Sequence, residues 1–551
     1  MAFYGVDLGT TFCAAGVARR GVVTRVGMER AGVTLASTVL LDDRDPEHPR
    51  VALGRLAQTR WRDLLERGPA PAGVAFVRGS KNLMAAGHGA LLGAPWRLGG
   101  MDLRATDLAA LLLRGVAQCV SRDPALPPLD AVVVTHPQRY RNRERRAVAQ
   151  AARLAGMRCA GIIPEPDAAA WAYGLGHRFG AREATFAVFD FGGGTLDVTL
   201  LRRTQEGGVT HLHAVASYGV QLGGMTVDEL VRERLLAIWT ERAGMPGVGL
   251  EHLSELSRDA LLGVAEGVKV QLNAHAGDDP NPLARMASRT LAPQRDDGAA
   301  LPAAEVRVTL GDFSQWIAEL VARAADCADE AVSLAGLHWR DVDEVFLVGG
   351  SSWLYAVREA LAVRTGRAPR VVDDVESPLN PSTAVAAGAA LFAAHCEGDV
   401  DAPEVDWRGV TPDAFGVRAR EPDPQRAGER RETLAVLVPA RTQVPFEGRR
   451  TFRKRGGARV LPVEVLEGRS LADATPLGRF DVTLDAALPD GAPVDVVLRV
   501  ARDGVLRLAV RDPASGATQE LTLRDAEGLY ADDEMDARRA MIARAVIELS
   551  S

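Results

Sequence analysis

Residues 190–197 (DFGGGTLD) limit the possible folds of this chain more than any other stretch. Apolar residues at 187–189 lead into it and strand-forming residues at 198–200 lead out, so the pattern predicts a β-hairpin with a glycine-rich tip between two carboxylates. Three successive glycines weaken a strand, but they allow backbone N–H groups to converge on an anion. A carboxylate can lie beside a bound phosphate when a divalent cation, usually Mg²⁺, separates them. Taken alone, the stretch could also be an ordinary glycine-rich hairpin.

A second tip of the same kind lies near the N-terminus. Residues 3–6 form a short apolar run, residues 7–11 (DLGTT) follow, and residues 14–18 return as a predicted strand. Two similar tips far apart in one chain indicate an internal duplication. We therefore expect each half to contribute one hairpin to a phosphate site in a shared cleft.

These two tips resemble the phosphate loops of the actin-like ATPase superfamily. Within it, residues 162–175 (IIPEPDAAAWAYGL) resemble the 70-kDa heat-shock chaperones, the DnaK-like proteins, specifically. The resemblance has specific motifs from about residue 3 to about residue 395 and is weaker to about residue 525. It implies an α/β actin-like ATPase domain, duplicated and ribonuclease H-like, followed by an all-β sandwich that resembles a substrate-binding domain.

The expected domain boundaries follow from this resemblance and from changes in pattern along the chain. Residues 1–395 are predicted to form the nucleotide-binding domain, 396–410 the linker, 411–525 the β-sandwich and 526–551 a short C-terminal helix. From residue 411 alternation predicts strands, with Asp503-Gly504 as a hairpin turn. The polar linker, with Pro403 and Trp407, keeps only a diluted form of the family's hydrophobic run. A helix of ~17 residues spans only ~25 Å, so we expect a divergent member without a helical lid.

Composition excludes some classes of function and leaves others open. The net charge of −7 does not indicate a nucleic-acid or anionic-membrane partner, and no apolar run approaches the ~18 residues of a membrane span. The first residues enter a strand directly, which is not typical of an export signal. The five cysteines are scattered, so neither a disulfide framework nor a cysteine metal cluster is predicted, and a reducing cytoplasm fits.

By resemblance, the residues of the two tips hold phosphates and metal. The expected phosphate ligands are Gly9, Thr10, Thr11, Gly192, Gly193, Gly194 and Thr195. Asp7, Asp190 and Asp197 would hold Mg²⁺, mainly through its waters. The expected catalytic set is Lys81, Glu165, Thr195 and Asp197: Lys81 and Glu165 position the attacking water, and Thr195 can accept its proton.

The distribution of cations supports a role for Lys81. Lysine occurs only at Lys81, Lys269 and Lys454, whereas the other 62 of the 65 basic residues are arginine. A lysine in such a chain favours a site that needs a compact ammonium rather than a planar guanidinium. A surface lysine at the start of a helix is the alternative.

Two further glycine turns and one helix face are expected to bind the nucleoside. The turns contain Gly223 and Gly224, and Gly349, Gly350 and Ser351. Helical spacing places Glu266, Lys269 and Asn273 on one face, and by resemblance these bind adenosine; an exposed polar helix face is the alternative. Trp353 stands where the family usually places an arginine against the adenine.

A proline and an arginine eight residues later are the expected coupling residues between the domains. Pro137 and Arg145 match the family's spacing. A structural proline at the end of a strand is the alternative, and His136 beside it is expected to be structural.

The function implied is that of an ATP-dependent molecular chaperone that binds ATP or ADP with Mg²⁺. Its partners would be unfolded or extended polypeptide segments, with J-domain and nucleotide-exchange co-chaperones, and neither nucleic acid nor membrane. A sugar kinase of the same superfamily is one alternative, although it needs an acceptor pocket with an aspartate base. A nucleotide-dependent adaptor with a dedicated partner and little ATPase activity is the other. Residues 446–455 place five cations around two phenylalanines, which predicts weak, salt-sensitive binding of acidic segments.

Overall fold

Two mixed α/β lobes and a β-sandwich make up the computed structural model. The structure describes residues 2–29, 32–87, 96–176, 183–370, 380–402, 404–422, 426, 429–454, 459–484, 488–501, 505–511, 516, 518–523 and 529–550. None of the helices in these ranges is long and apolar enough to cross a membrane.

The first lobe is built around the strand that leads into the N-terminal glycine tip. Its strands are β1 (Phe3–Leu8), β2 (Phe12–Arg19), β3 (Val22–Arg25), β4 (Thr34–Ala36), β5 (Thr38–Asp42), β6 (Arg50–Leu53), β7 (Val74–Arg78), β8 (Arg97–Leu98), β9 (Met101–Asp102), β10 (Ala131–His136) and β11 (Arg158–Pro164). Its helices are α1 (Gly54–Arg67), α2 (Ser80–Gly87), α3 (Ala105–Val120), α4 (Asn142–Leu154) and α5 (Glu165–Gly176). The main sheet has the order β11-β10-β1-β2-β3.

The second lobe begins with the central hairpin. Its strands are β12 (Glu183–Phe191), β13 (Leu196–Glu206), β14 (Val209–Val220), β15 (Met286–Leu291), β16 (Ala304–Thr309) and β17 (Glu344–Val348). Its helices are α6 (Gly224–Arg242), α7 (Glu255–Asn273), α8 (Leu310–Trp316), α9 (Ala318–Leu334) and α10 (Tyr355–Thr365). Next in the chain, α11 (Ala384–Cys396) packs against β1, β2 and α5 of the first lobe, and β18 (Val405–Arg408) follows it.

The two main sheets repeat one topology, as the duplicated tips indicate. In each, the strand entering the tip pairs antiparallel with the strand leaving it, β1 with β2 and β12 with β13. In each, a later strand then pairs parallel with the first one on its other side, β10 with β1 and β17 with β12. β12 and β10 are almost continuously apolar and buried, because helices cover both faces of these sheets.

The predicted linker contains a strand. β18 pairs parallel with β14 and extends the second sheet to the order β17-β12-β13-β14-β18. Val405 and Trp407 are buried there, and the Trp407 ring lies edge-on to Phe392 with the centroids 5.2 Å apart. The diluted apolar residues of the linker are therefore sufficient to dock it on the ATPase domain; Pro403 lies outside the described residues.

The alternating stretch after residue 411 forms two antiparallel four-stranded sheets. The strands are β19 (Ala414–Pro422), β20 (Arg430–Val438), β21 (Phe446–Arg453), β22 (Val460–Gly468), β23 (Thr475–Thr483), β24 (Pro493–Val500), β25 (Leu506–Arg511) and β26 (Thr518–Thr522). The orders are β20-β19-β22-β23 and β21-β24-β25-β26, with one apolar core between them. The predicted turn at Asp503-Gly504 lies outside the described residues.

The C-terminal segment packs on the first lobe and not under the sandwich. It consists of α12 (Asp532–Arg544) and β27 (Val546–Glu548), so the helix predicted within residues 526–551 ends at Arg544 and a strand follows it. α12 contacts α3 and α4, and β27 pairs parallel with β6 in the sheet β27-β6-β5-β7. Met541 and Ile542 are fully buried in the core of this lobe.

Candidate active site

The glycine turns of both halves meet at one place between the two lobes. The tips of the two hairpins touch, because a Cβ built on Gly193 would lie only 1.8 Å from the Thr11 hydroxyl oxygen. Only glycine fits at such an approach. The third turn bonds to the same loop, since the N–H of Gly224 donates to the carbonyl of Gly192 over 3.0 Å.

The fourth glycine turn completes this arrangement from β17. Gly349 has a φ of 81°, which favours glycine, and a Cβ there would lie 2.5 Å from the Phe191 carbonyl oxygen. The Ser351 hydroxyl donates to the carbonyl of Gly192 over 2.8 Å. The three other predicted glycine turns therefore surround residues 192–194, with Thr10 and Thr11 facing them from the first lobe.

A buried cluster of charges lies directly below these turns. Asp190 and Asp197 are opposite each other in the central hairpin, Asp7 is near the end of β1, and Glu165 is the first residue of α5. Lys81, the second residue of α2, forms an ion pair with Glu165. All of these side chains except Asp7 are more than nine-tenths buried.

The cluster carries more negative than positive charge. Burial raises the pKa of Asp7 to about 7, the charge of Glu165 adds to this, and Lys81 opposes it. Burial and then Glu165 likewise raise the pKa of Asp197 to about 7, and the pKa of Asp190 is raised well above its ordinary value by the same causes. Burial alone would lower the pKa of Lys81, but the charges of Glu165 and Asp7 raise it. Such crowding of carboxylates is stable when a cation joins them.

The donor set fits a divalent cation of the Mg²⁺ type. Mg²⁺ prefers carboxylate oxygens and keeps several waters, and the three aspartates predicted as its ligands converge here. Asp197 Oδ1 is buried without a hydrogen-bond partner in the described part of the chain. That oxygen is a ready acceptor for a metal-bound water.

Three residues that the sequence did not single out also reach this cluster. The Thr135 hydroxyl donates to Asp7 Oδ1 over 2.9 Å. The backbone N–H of Arg139 donates to Asp197, and its positive charge lowers the pKa of that carboxyl. Asn82 Oδ1 would lie 2.5 Å from a Cβ on Gly194. Thr135 lies at the end of β10, Arg139 follows β10 and Asn82 follows β7, a position typical of site residues in α/β folds.

A cavity of about 310 Å³ next to the turns brings together most of the predicted nucleoside residues. It is lined by Lys269, Asn273, Gly350, Ser351 and Trp353, with Val270 exposed at its edge. The wall thus combines an indole and an aliphatic side chain with a few polar groups, as small-molecule pockets do.

Two of the helix-face residues predicted to bind adenosine have other surroundings. Glu266 lines a neighbouring pocket with Thr10, Thr11 and Asp228. The Asn273 side chain accepts from the Tyr355 N–H over 2.8 Å and donates to the Lys269 carbonyl over 2.8 Å. The amide of Asn273 therefore fixes α7 to α10, whereas Lys269 is held by Asp228 over 2.8 Å.

The segment after β10 connects the cluster to the sandwich. Pro137 precedes Arg139, which bonds to Asp197. Arg145 is half-buried and donates to the carbonyls of Tyr140 (2.7 Å) and Gln138 (3.2 Å). Arg145 therefore fixes the turn that carries Arg139; the coupling role of Pro137 and Arg145 stays a prediction. His136 is buried, and burial lowers its pKa well below the ordinary value, so it is neutral and structural here.

The sandwich docks on the start of α4 through polar groups. Arg141 forms an ion pair with Asp413 over 2.8 Å and donates to the Thr475 hydroxyl over 3.0 Å. The N–H of Asn142 donates to Glu467 Oε2 over 2.8 Å. Glu467 belongs to β22 and is fully buried beside Arg145. Sequence reasoning could not find these partners, because they lie more than 270 residues from α4.

Docking is expected to weaken as pH rises towards 8. Burial raises the pKa of Glu467 to about 8. The hydrogen bond from the Asn142 N–H and the positive charge of Arg145 lower this pKa, but burial outweighs them. A carboxyl whose pKa is higher in the docked state takes up a proton on docking. Low pH therefore favours docking, and this contribution to the docking free energy is lost as the pH rises to the pKa of the docked state. We expect the docking equilibrium to fall up to about tenfold between pH 7 and 8 and to level off above.

The measurement is tryptophan emission of the docked linker, with Trp407→Phe identifying the signal. Glu467→Gln should reduce the fall above pH 7 to about twofold at most, the part that the raised Asp167 carboxyl with its pKa of about 7 contributes, because His136 stays neutral there. Glu464→Gln is the matched control, since Glu464 lies on the same strand but pairs with Arg418 at the surface. A fall as large in Glu467→Gln as in the Glu464→Gln control contradicts the assignment.

Two of the five cations of the predicted patch on the sandwich are paired with carboxylates and a third is buried, so the patch is less cationic at the surface than the sequence alone suggests; binding of acidic segments there stays a prediction. Arg449 pairs with Asp495 and Arg450 with Glu421. Lys454 is buried and donates to the Leu488 carbonyl over 2.5 Å. Sequence reasoning missed this because the compensating carboxylates come from other strands; Arg455 lies outside the described residues.

Two lobes of duplicated topology that meet at glycine turns over buried carboxylates are the arrangement of an actin-like ATPase. A β-sandwich follows them in the chain. A family model described as Hsp70 protein matches residues 90–546. This match covers most of the chain, so the protein belongs to the Hsp70 family, whose members are ATP-binding chaperones, and it confirms the resemblance noted above. The match begins after the first tip and Lys81, so the roles of these residues stay predictions.

Proposed function

We propose that this protein is an ATP-dependent chaperone of the 70-kDa heat-shock type, which hydrolyses ATP with Mg²⁺ to control its binding of polypeptide segments. The observation that carries this proposal is the convergence of four glycine turns on a buried cluster of aspartates with the Lys81–Glu165 pair. Slow turnover is expected, because phosphoryl transfer here depends on positioning and charge stabilisation alone.

Each part of the cluster has a proposed task. The backbone of residues 192–194 and the hydroxyls of Thr10 and Thr11 hold the phosphates. Asp7, Asp190 and Asp197 hold Mg²⁺ mainly through its waters, and the cation, when bound, neutralises charge on the phosphates.

The remaining residues act on the attacking water. Glu165 orients it, Lys81 stabilises the charge that develops on the transferred phosphoryl group, and Thr195 accepts a proton from the water. Arg139 fixes Asp197 through its backbone N–H, so a change at the phosphates can reach the segment that docks the sandwich.

The adenine is proposed to stack on Trp353 in the 310 Å³ cavity. ADP should then change the tryptophan emission, and Trp353→Ala should remove that change and weaken binding by about 1–3 kcal/mol, the typical value of base stacking on an aromatic ring. Trp61→Phe is the control, because Trp61 stacks on Phe76 outside the cavity. An unchanged ADP signal in Trp353→Ala would show that the indole only fills the core.

The experiment that tests the proposed function is ATP turnover by the full chain with and without an unfolded polypeptide, and with Mg²⁺ removed by a chelator. A chaperone hydrolyses ATP slowly, is stimulated by many unfolded segments and loses activity without Mg²⁺. No ATP turnover above the background without protein in any condition would overturn it.

A nucleotide-dependent adaptor is the second candidate, and the docked arrangement favours it in one respect. The docked linker and the ion-paired Arg449 and Arg450 of β21 leave fewer groups for general peptide capture. Binding to a peptide library separates the two functions, since a chaperone binds many segments and an adaptor binds none of them. J-domain and nucleotide-exchange partners and a cytoplasmic location stay predictions.

A further inference from the structure

A cluster of two histidines and one aspartate lies at the edge of the second sheet, away from the cleft. His211 and His213 are on β14 and Asp406 is on the docked linker strand β18. Residues two apart on a strand point to the same face. Asp406 is the direct partner of His211 in the parallel pair, so its side chain shares that face.

The three side chains present their ligand atoms to one point. Asp406 Oδ2 lies 3.4 Å from His211 Nδ1 and 3.4 Å from His213 Nε2, and all three atoms lie within 4.8 Å of one another. Two ligands about 2.1 Å from a tetrahedral zinc lie about 3.4 Å apart. Good N–H···O hydrogen bonds are shorter, at roughly 2.7–3.2 Å. The spacing therefore fits a shared cation better than a pair of hydrogen bonds.

From this geometry we propose that His211, His213 and Asp406 bind a divalent transition-metal ion, with Zn²⁺ as the best fit. Two imidazole nitrogens and one carboxylate oxygen are a donor set that Zn²⁺ favours, with a water as fourth ligand. The side chains are half-buried, at 28%, 28% and 19% exposure, so water can reach the open position.

One neighbouring cation competes for this place. The Arg408 guanidinium lies 3.2 Å from Asp406 Oδ2 and is 45% exposed. It can turn into solvent at little cost and keep its charge hydrated. When the metal ion is bound, it supplies the positive charge beside Asp406. When it is absent, Arg408 supplies that charge.

The consequence is a link between metal binding and the position of the linker. The histidines belong to the second lobe and Asp406 to the linker, 193 residues further along the chain from His213. The complete ligand set exists only when β18 is paired with β14. Zn²⁺ should therefore favour the docked linker, by mass action, independently of nucleotide.

The test uses the full chain without a histidine tag, freed of metal by a chelator and kept without nucleotide. Titration with Zn²⁺ by calorimetry, and with Co²⁺ by its visible tetrahedral bands, should give one site per chain. His213→Ala and Asp406→Asn should each weaken Zn²⁺ binding by at least about tenfold. Loss of a residue that only hydrogen-bonds to a metal ligand already costs about 10–100-fold in affinity, and these two residues are proposed as ligands themselves. His48→Ala is the matched control, because His48 pairs with Asp45 at the surface. Arg408→Gln should bind Zn²⁺ at least as tightly as the unaltered chain.

The linker itself gives a second readout. Trypsin cleavage after Arg408 requires the strand to leave the sheet, so Zn²⁺ at 100 times its Kd should slow it up to about 100-fold. Asp406→Asn should lose this protection. The proposal is overturned if the unaltered chain binds no Zn²⁺, if His213→Ala and Asp406→Asn bind it as tightly as the His48→Ala control, or if Zn²⁺ leaves the cleavage rate unchanged. Melting curves verify that each variant is folded.

Discussion

Lys81→Ala is expected to reduce ATP hydrolysis by on the order of 10²–10³, as removal of one transition-state donor does, while nucleotide binding changes little. The Lys81 ammonium lies among buried carboxylates and pairs with Glu165. Its charge is needed most when negative charge develops on the transferred phosphoryl group, so its loss affects the rate more than ground-state affinity. Single-turnover hydrolysis and ADP titration measure the two effects separately.

The chain offers a matched control for this variant. Lys454 is also buried, at 6% exposure against 5% for Lys81, but it donates to a carbonyl in the sandwich, far from the cleft. Lys454→Ala should affect the stability of the sandwich and leave hydrolysis by the folded protein unchanged. If Lys81→Ala hydrolyses ATP within twofold of the unaltered chain, Lys81 is not catalytic.

Ile542→Ala is expected to destabilise the first lobe by about 2–5 kcal/mol, the usual cost of emptying a fully buried large aliphatic site. Ile542 belongs to α12 but is fully buried in the core of the lobe that carries Asp7 and Lys81. Unfolding of that lobe should therefore remove ATP binding and hydrolysis at temperatures where the unaltered chain is active. Thermal unfolding with and without ADP measures the effect.

Two further variants of the same segment sharpen this test. Tyr530→Phe removes the hydroxyl that donates to buried Asp107, which should cost about 1–3 kcal/mol because the carboxylate loses a partner. Val546→Ala is the control, since Val546 is half exposed and surface changes usually stay within about 0.5 kcal/mol. If Ile542→Ala lowers only the melting temperature of the sandwich, the C-terminal segment belongs to that domain.

The local patterns of the chain determined the two glycine tips, the duplication they imply and the strands of the sandwich. These features depend on residues near each other in sequence: glycines and carboxylates at a strand end, and period-two alternation after residue 411. The two tips and the two later glycine turns converge in the structure as expected. Lys269 and Trp353 line one cavity, as their spacing and position suggested.

Only the tertiary structure decided where the short segments with weak patterns lie. β18 and β27 are strands of four and three residues, and each becomes a strand because an edge of a remote sheet, β14 or β6, offers it a partner. Strand formation depends strongly on such context. The contacts between charged groups also depend on the tertiary structure. Glu467 lies beside Arg145, and Asp406 lies beside His211 and His213, only because the fold brings together segments that are far apart in the chain. Sequence spacing carries no information on contacts of this kind.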